Sequence, residues 1–566
     1  MKKKWVVAQP IDNELKNRFP KINPIVLQLL RNRHLTTQQQ IDEFLLPDYS
    51  RDIYDPFLFT QMSKAVERIN QAIEQQENIL IYSDYDVDGI TSAVVLKSGL
   101  EKLGVKNLSV YLPDRNKEGY GMRPEPIQEA AKNQVELIIT SDLGITAVQE
   151  VELANKLGMD VIVTDHHLPL EQLPLAYAIL DPQEDKNYPC KYLAGVGVAF
   201  KLVQALLQDR GKRSADFHFE AFEKWLLDLV ALGTISDAMV LISENRTMVK
   251  YGLIVFNKTN RLGLQVLCEE NKLTLGTIDT HTIYYQIGPR LNVASRMDHA
   301  NTALALILSQ NRSEARKIAQ DLNRINSERQ KLVDSIVQKL KTELGPEPSE
   351  RLLIVHGPDW PVGILGLIAG RLRDEYQRPA LSLTNQDSAI VGTGRSNDQL
   401  NLVELFTRLV SLLSRYGGHR RAAGFAMSDQ NKLKDFMAAA ETVAKELMGK
   451  EILLDEILVE AEIGPSDVTW DLQESLEQFA PFGEGNPNPL FLIKNLTIDD
   501  LQWLGQNNKH LRLVASGRKF IYFCADDECK SLRVGSKIDV VVEIGVNQWN
   551  GTKELQLKIA ALKISN

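Results

Sequence analysis

Cysteine is scarce in this chain: Cys190, Cys268, Cys524 and Cys529 are the only four in 566 residues. They are too few and too dispersed for a disulfide framework, and Cys524 and Cys529 have no Cys or His pair nearby to complete a zinc site. Reduced thiols of a cytoplasmic protein are the expectation. Long apolar runs are missing too. No window reaches the roughly 18 uninterrupted apolar residues of a membrane span. The basic start MKKKWVVAQP is not followed by the apolar segment of a secretory signal. Nor is there a surplus of positive charge: 65 Lys and Arg face 74 Asp and Glu, a net charge of −9. This argues against a protein that coats nucleic acid by overall basicity. It leaves room for a carboxylate-built metal site with local basic surface.

What is present is the balance of an ordinary globular protein, 44% apolar and 25% charged. The length calls for three or four domains. A mixed leader occupies 1–60. In 61–310, apolar runs (ILIYS, LSVYL, ELIITSD, MDVIVTD) alternate with helical patterns, predicting a parallel α/β sheet with its chemistry at the carboxyl ends of the strands. Residues 312–342 lack Gly and Pro. Ala315, Ile318, Leu322, Ile325, Leu332, Ile336 and Leu340 share one helical face, predicting a connector helix over 311–345. A second α/β unit follows over 346–450. Residues 451–566 carry about five strand-like runs, suggesting a small β-barrel such as an OB-fold.

Chemistry concentrates where apolar runs end. Asp84, Asp86 and Asp88 lie in IYSDYDVDGIT. Like charges packed at a strand end hold one another's protons on, and a divalent cation removes the conflict. A calcium loop does not fit, because an apolar helix follows directly and Val95 stands where that loop needs Glu. Asp142 ends ELIITSD, Asp165, His166 and His167 end MDVIVTDHH, and Asp237 ends LLDLVALGTISD. Four such clusters are expected to meet on one sheet edge as a metal site. Carboxylates with imidazole and no thiolate suit Mn²⁺ or Mg²⁺. Four or more carboxylates imply two ions, the arrangement that hydrolyses phosphoesters.

DYDVDG, SDLG, DHH and GTISD resemble, in order, the four motifs of the DHH phosphoesterase superfamily. GGHRRAAGF at 417–425 is similar to the signature of the DHH-associated domain. PDRNKEGYG, IGPRLNVASR, VGTGRS and PFGEGNPNPLF resemble segments of its RecJ branch. The likeness spans nearly the whole chain. It departs from the usual pattern at Ser295, at Pro361 and in the missing proline after Asp237. The resemblance implies a DHH catalytic domain, a DHH-associated domain and an OB-fold. It implies a single-stranded-DNA-specific 5′→3′ exonuclease that releases mononucleotides, in DNA repair and recombination. Asp84 and Asp86 would hold one metal, Asp142 would bridge, and Asp88, His166 and Asp237 would hold the second. His167 would contact the scissile phosphate or orient its neighbour. Arg115 and Arg296 would receive a 5′-phosphate, and Arg290 would either join them or form a structural ion pair. Arg395, Ser396, Gly417, Gly418 and His419 would contact DNA from the second domain.

In the barrel, Lys509, His510, Arg512, Arg518 and Lys519 alternate with Trp503, Phe520 and Tyr522. This pattern suits either strand binding or barrel core. A monomer is expected, with single-stranded DNA, and then a helicase and a single-strand-binding protein, as partners. Two other readings remain open here: a phosphodiesterase acting on short oligonucleotides or cyclic dinucleotides, and a catalytically inactive DNA-binding relative.

Overall fold

The computed structural model describes residues 4–115, 117–214, 217–448, 456–505, 508–525, 527–549 and 552–565. It divides into two bodies, Tyr54–Met239 with Ser243–Leu453, and Met1–Ile53 with Val240–Ile242 and Leu454–Asn566. In the first body the apolar runs become five parallel strands: β1 (Asn78–Ser83), β2 (Leu108–Tyr111), β3 (Val135–Ser141), β4 (Asp160–Thr164) and β5 (Ala178–Leu180). Their order is β2-β1-β3-β4-β5. β1, β3, β4 and β5 are almost wholly buried, which is why they read as continuous apolar runs. Strand order reverses between β1 and β3, the switch point where α/β sheets place their ligands.

The sheet is covered by helices that include α1 (Val87–Lys102) and α2 (Gly195–Arg213). The run before Asp237 is not another strand reaching the sheet edge. It is a helix, α3 (Leu227–Ser236), packed on α1 and α2. Every residue from Leu227 to Ile235 is buried, so no polar face was left to mark a helical period. A fully buried ion pair, Lys201 to Glu244 at 2.8 Å, ties α2 down. The Lys201 ammonium also donates to the Tyr54 carbonyl at 2.7 Å, and the Tyr188 hydroxyl to Glu244 at 2.6 Å.

Two further helices matter to the site, α4 (Gly288–Met297) and α5 (Arg312–Leu344). The Asn311 side chain caps α5 by accepting from the amides of Ser313 and Glu314. α5 packs on Leu262–Glu270 and on α4. Further along, Val333, Val337 and Leu340 join Leu353, Val355, Ile364 and Ile368 in one core. The helix is therefore both a packed element and the link to a second sheet. That sheet contains β6 (Leu353–His356), β7 (Ala380–Gln386), β8 (Ala389–Arg395), β9 (Arg415–His419) and β10 (Ala422–Met427), in the order β9-β10-β8-β7-β6. Only β6 and β7 pair in parallel.

In the second body, β11 (Phe491–Leu504), β12 (His510–Ala515), β13 (Arg518–Tyr522), β14 (Lys537–Trp549) and β15 (Thr552–Ile564) close into a five-stranded barrel through the β11–β14 pairing. Within the leader, Lys4–Val7 pairs with Glu456–Val459, and Ile11, Phe19, Leu27, Leu30 and Phe44 share the core of Phe491, Leu511 and Phe520, whereas residues 54–60 belong to the first body. An amphipathic pattern tells that a helix must bury a face, not which face it meets. The boundary expected at 450–451 lies outside the described residues.

This shared core makes a prediction. Removing 454–566 alone should strip the leader of its partner and give a product that binds hydrophobic dyes and aggregates. Removing 1–53 as well should restore solubility, as judged by gel filtration. Equal solubility of the two truncations would contradict the shared core.

Candidate active site

The parallel register lines up the carboxylates. Ser83 faces Ser141, Ser141 faces Thr164, and Thr164 faces Leu180. One step on, the amide of Asp84 donates to Ser141, that of Asp142 to Thr164 and that of Asp165 to Leu180. Asp84, Asp142 and Asp165 are thus neighbours at the carboxyl edge, with Asp84 and Asp142 across the switch point. Asp142 has φ +59°, a left-handed conformation that turns its side chain back over the edge.

Asp86 caps α1, accepting from the amides of Asp88 and Gly89. Gly89 is required there, because a Cβ would lie 2.3 Å from the Asp84 carbonyl oxygen. Asp88 accepts from the amides of Gly195 at 2.7 Å and Val196 at 2.9 Å, at the start of α2. Asp237 ends α3. His166 Nε2 lies 3.0 Å from Asp142 and 3.7 Å from both Asp88 and Asp237. Three groups of donor atoms result among the described residues: Asp84 with Asp86 and Asp142, Asp88 with His166 and Asp237, and Asp142 with His166 and His167, which links the first two.

The electrostatics suit cations. Burial and the Asp86 charge hold Asp84 well above the usual carboxylate range and push Asp88 up to about 7. Burial, then Asp88, Asp86 and Asp84, raises Asp142. Burial and His167 push His166 down to about 3, leaving it a neutral ligand. Asp84 Oδ1, Asp142 Oδ1 and His166 Nε2 are buried without a hydrogen-bond partner among the described residues. Orphaned acceptors that repel one another are what a divalent ion satisfies, so the residues fit the metal.

A prediction follows for metal-free protein. Asp88 has a folded pKa of about 7, above its unfolded value of about 3.9. Its contribution to stability is full below the lower value and lost as pH rises through the higher one. A cation needs the ionised form and compensates where that loss is complete. The rise in Tm between EDTA and saturating Mn²⁺ should be larger at pH 8 than at pH 5.5. A larger rise at pH 5.5 would contradict the cluster.

Around the ligands stand residues the sequence reading left without a role. The Asn292 side chain on α4 accepts from the Val87 amide. Asp165 accepts from the amides of Ile145 and His166 and from His167 Nδ1 at 2.8 Å. It thereby pulls His167 up to about 9 against the cost of burial. The Tyr120 hydroxyl lies 3.2 Å from the same ring. Gly195 is tightly placed, since a Cβ would come 2.6 Å from that of Asp142. Only the Gly-rich start of α2, AGVGVAF, hinted at this.

The second sheet contributes directly. The His419 ring lies 6.4 Å from that of His167 and nearly parallel to it. Gly418, at φ +131°, cannot carry a side chain, because a Cβ would meet Ala422 and Ala423, whereas Gly417 has open space. Arg115 sits over the Tyr85 ring, between Asp84 and Asp86, at 5.0 Å. Arg296 donates to the Gly363 carbonyl at 3.1 Å and Arg395 to its neighbour Gly394 at 2.9 Å. Burial and the charges of Arg115, Arg329 and Arg395 push Arg296 down to about 9. Burial, Arg115 and Arg373 push Arg395 down to about 10. The charges of Arg115 and Arg395 thus act on Arg296, while Arg115 acts on Asp84 and Arg296 interacts with Asp86.

Several expected residues are placed otherwise. Ser396 is fully buried, its hydroxyl donating to the Leu400 carbonyl at 2.7 Å, so it serves the turn. Arg290 forms no structural ion pair among the described residues. It donates to the Asn323 side chain at 2.9 Å and to the Gln286 carbonyl. In the barrel, Phe520 and Tyr522 are core and Trp503 packs against it. Arg512 pairs with Asp500 and Lys519 with Glu554, and Arg518 donates to the Pro465 carbonyl, leaving Lys509 exposed.

Residues 78–234 match the DHH family, N-terminal domain, residues 349–446 the DHHA1 domain and residues 459–561 the RecJ OB domain. The single-stranded-DNA-specific exonuclease RecJ of Bacillus subtilis is 34% identical, covering 100% of this chain and 71% of its own length. The chain belongs to the RecJ family. RecJ of Escherichia coli is 31% identical over 95% of either chain. The crystal structure of Thermus thermophilus RecJ in complex with Mn²⁺ superposes with a TM-score of 0.86 at 27% identity, covering 100% of this chain and 80% of that one. No described helix is long and apolar enough to cross a membrane.

Proposed function

We propose that this RecJ-family chain is an exonuclease that hydrolyses single-stranded DNA from a 5′-phosphorylated end to mononucleotides, in DNA repair and recombination. The carrying observation is the set of donor groups linked through Asp142 and His166, beside arginines that form no ion pair among the described residues. Asp84, Asp86 and Asp142 would hold one divalent ion, Mn²⁺ or Mg²⁺, and Asp88, His166 and Asp237 a second, with Asp142 shared. Such ions, when bound, activate water and neutralise charge at the reacting phosphorus.

The chain's own residues do the rest. The Gly195 and Val196 amides fix Asp88, and Asn292 fixes the start of α1. Asp165 keeps the His167 ring oriented and protonated, suited to an anionic phosphate oxygen. His419 closes the same side. Arg115, Arg296 and Arg395 would read the extra charge of a terminal phosphate, which an internal diester lacks.

The complete ligand set speaks against an inactive relative. The barrel and second sheet speak against an enzyme restricted to dinucleotides. A monomer fed by a helicase and a single-strand-binding protein is the arrangement this reading expects. The test uses long single strands labelled at either end, incubated with Mn²⁺ or with EDTA. Mononucleotides should appear from the 5′ label first and only with metal. Release from the 3′ label first would overturn the polarity, and endonucleolytic fragments would overturn the exonuclease.

A further inference from the structure

One arginine near the pocket is used by none of this. Arg329 lies on α5, the helix that links the two sheets, and is 8% exposed. Its Nε has no hydrogen-bond partner, and one turn earlier the buried Asn326 Oδ1 has none either. Among the described residues Arg329 makes no ion pair. Asp334, the acidic group that acts on it, is engaged at 3.0 Å by Arg371. Burial and the charges of Arg371 and Arg290 lower its pKa, and its own charge acts on Arg296. α5 packs here on α4, which carries Arg296, and on Leu365–Tyr376 of the second domain.

A guanidinium buried at its Nε edge with neither carboxylate nor carbonyl there is costly for a fold to keep. It persists where its counter-charge arrives with a ligand. Its link to the phosphate pocket is Arg296, on which its charge acts across the packing of α5 on α4. We propose that Arg329 is a positioning residue of that pocket, a fourth cation on the connector helix whose counter-charge is supplied only when a terminal phosphate occupies the neighbouring arginines. Phosphate occupancy would then tighten the seat of the connector between the two sheets, so that an end in the pocket also steadies His419 over the metal ligands. The inference rests on the reading of Arg115, Arg296 and Arg395 as an end-binding site.

The test is thermal unfolding of the full chain with Mg²⁺ present. The probes are phosphorothioate-linked tetrathymidylates, one with a 5′-phosphate and one with a 5′-hydroxyl. The difference between their Tm shifts isolates the terminal phosphate. Without a probe, Arg329→Gln should melt no lower than wild type, since an unpaired buried charge has gone. The extra shift caused by the 5′-phosphate should fall by at least half, and Arg329→Lys should keep more of it than Arg329→Gln. An arginine that merely holds the helices together gives the opposite pattern. A variant melting several degrees lower, or failing to fold, or an undiminished phosphate shift, overturns the proposal. Arg296→Ala with the same probes separates the two levels. If it too keeps the full phosphate shift, the pocket reading has failed. If it loses the shift while Arg329→Gln keeps it, only the role of Arg329 has failed.

Discussion

Asp142→Asn is expected to abolish hydrolysis while binding of single strands persists. Asn is the informative replacement because residue 142 sits at φ +59°, where Asn is tolerated and Ala is strained. The change keeps shape and removes one charge from the residue that joins the Asp84 and Asp86 group to His166. Transition-state stabilisation by a metal is worth several kcal/mol. A loss of about 4 kcal/mol corresponds to roughly a thousandfold in rate. The measurements are kcat on a 5′-phosphorylated strand and the number of Mn²⁺ ions bound by calorimetry. Retention of more than about a tenth of wild-type activity would count heavily against a shared ligand, since disturbing both ions should cost more. Strand affinity should change little, because the surfaces that hold the strand are spread beyond Asp142.

The second large effect concerns the end of the strand. Arg115→Ala, Arg296→Ala and Arg395→Ala should each reduce kcat/KM on 5′-phosphorylated strands by about ten- to a hundredfold. This is the consequence of losing a charge-assisted contact worth about 1.5–3 kcal/mol. The penalty should shrink on 5′-hydroxyl strands, whose missing phosphate has already removed the partner. The structure adds Arg395 to the pair expected from sequence, because its charge and those of Arg115 and Arg296 act on one another. Equal losses on the two substrates would mean that these arginines hold an internal phosphate, and end recognition would be abandoned.

The residues that the structure engages otherwise than expected share a cause. Ser396 stands in a Gly-rich segment that suggests backbone approach by a ligand, yet its hydroxyl closes its own turn. Lys519 and Arg512 look like a basic patch in one dimension. Across the barrel each meets a carboxylate far along the chain. Phe520 and Tyr522 alternate as both a stacking platform and a barrel interior would, and only closure of β11 on β14 decides for the interior. Arg329 shows the reverse case. Its place in a charged helix suggests a solvated face, whereas α4 and Leu365–Tyr376 bury it.

The sequence by itself determined the fold class, the order of the domains and the acidic and imidazole residues that could hold a metal. These are short-range properties: apolar runs of strand length end in Asp or His, and no cysteine competes for the metal. Tertiary structure decided everything that depends on which distant residues meet. The parallel register makes neighbours of Asp84, Asp142 and Asp165, which local pattern leaves as separate clusters. Packing turns the run before Asp237 into a buried helix, and gives the leader to the barrel. It also brings the charges of Arg115, Arg395 and Arg329 to bear on Arg296. Charge and polarity are written in each residue, but whether a charge is paired, solvated or held ready for a ligand depends on neighbours that only folding supplies.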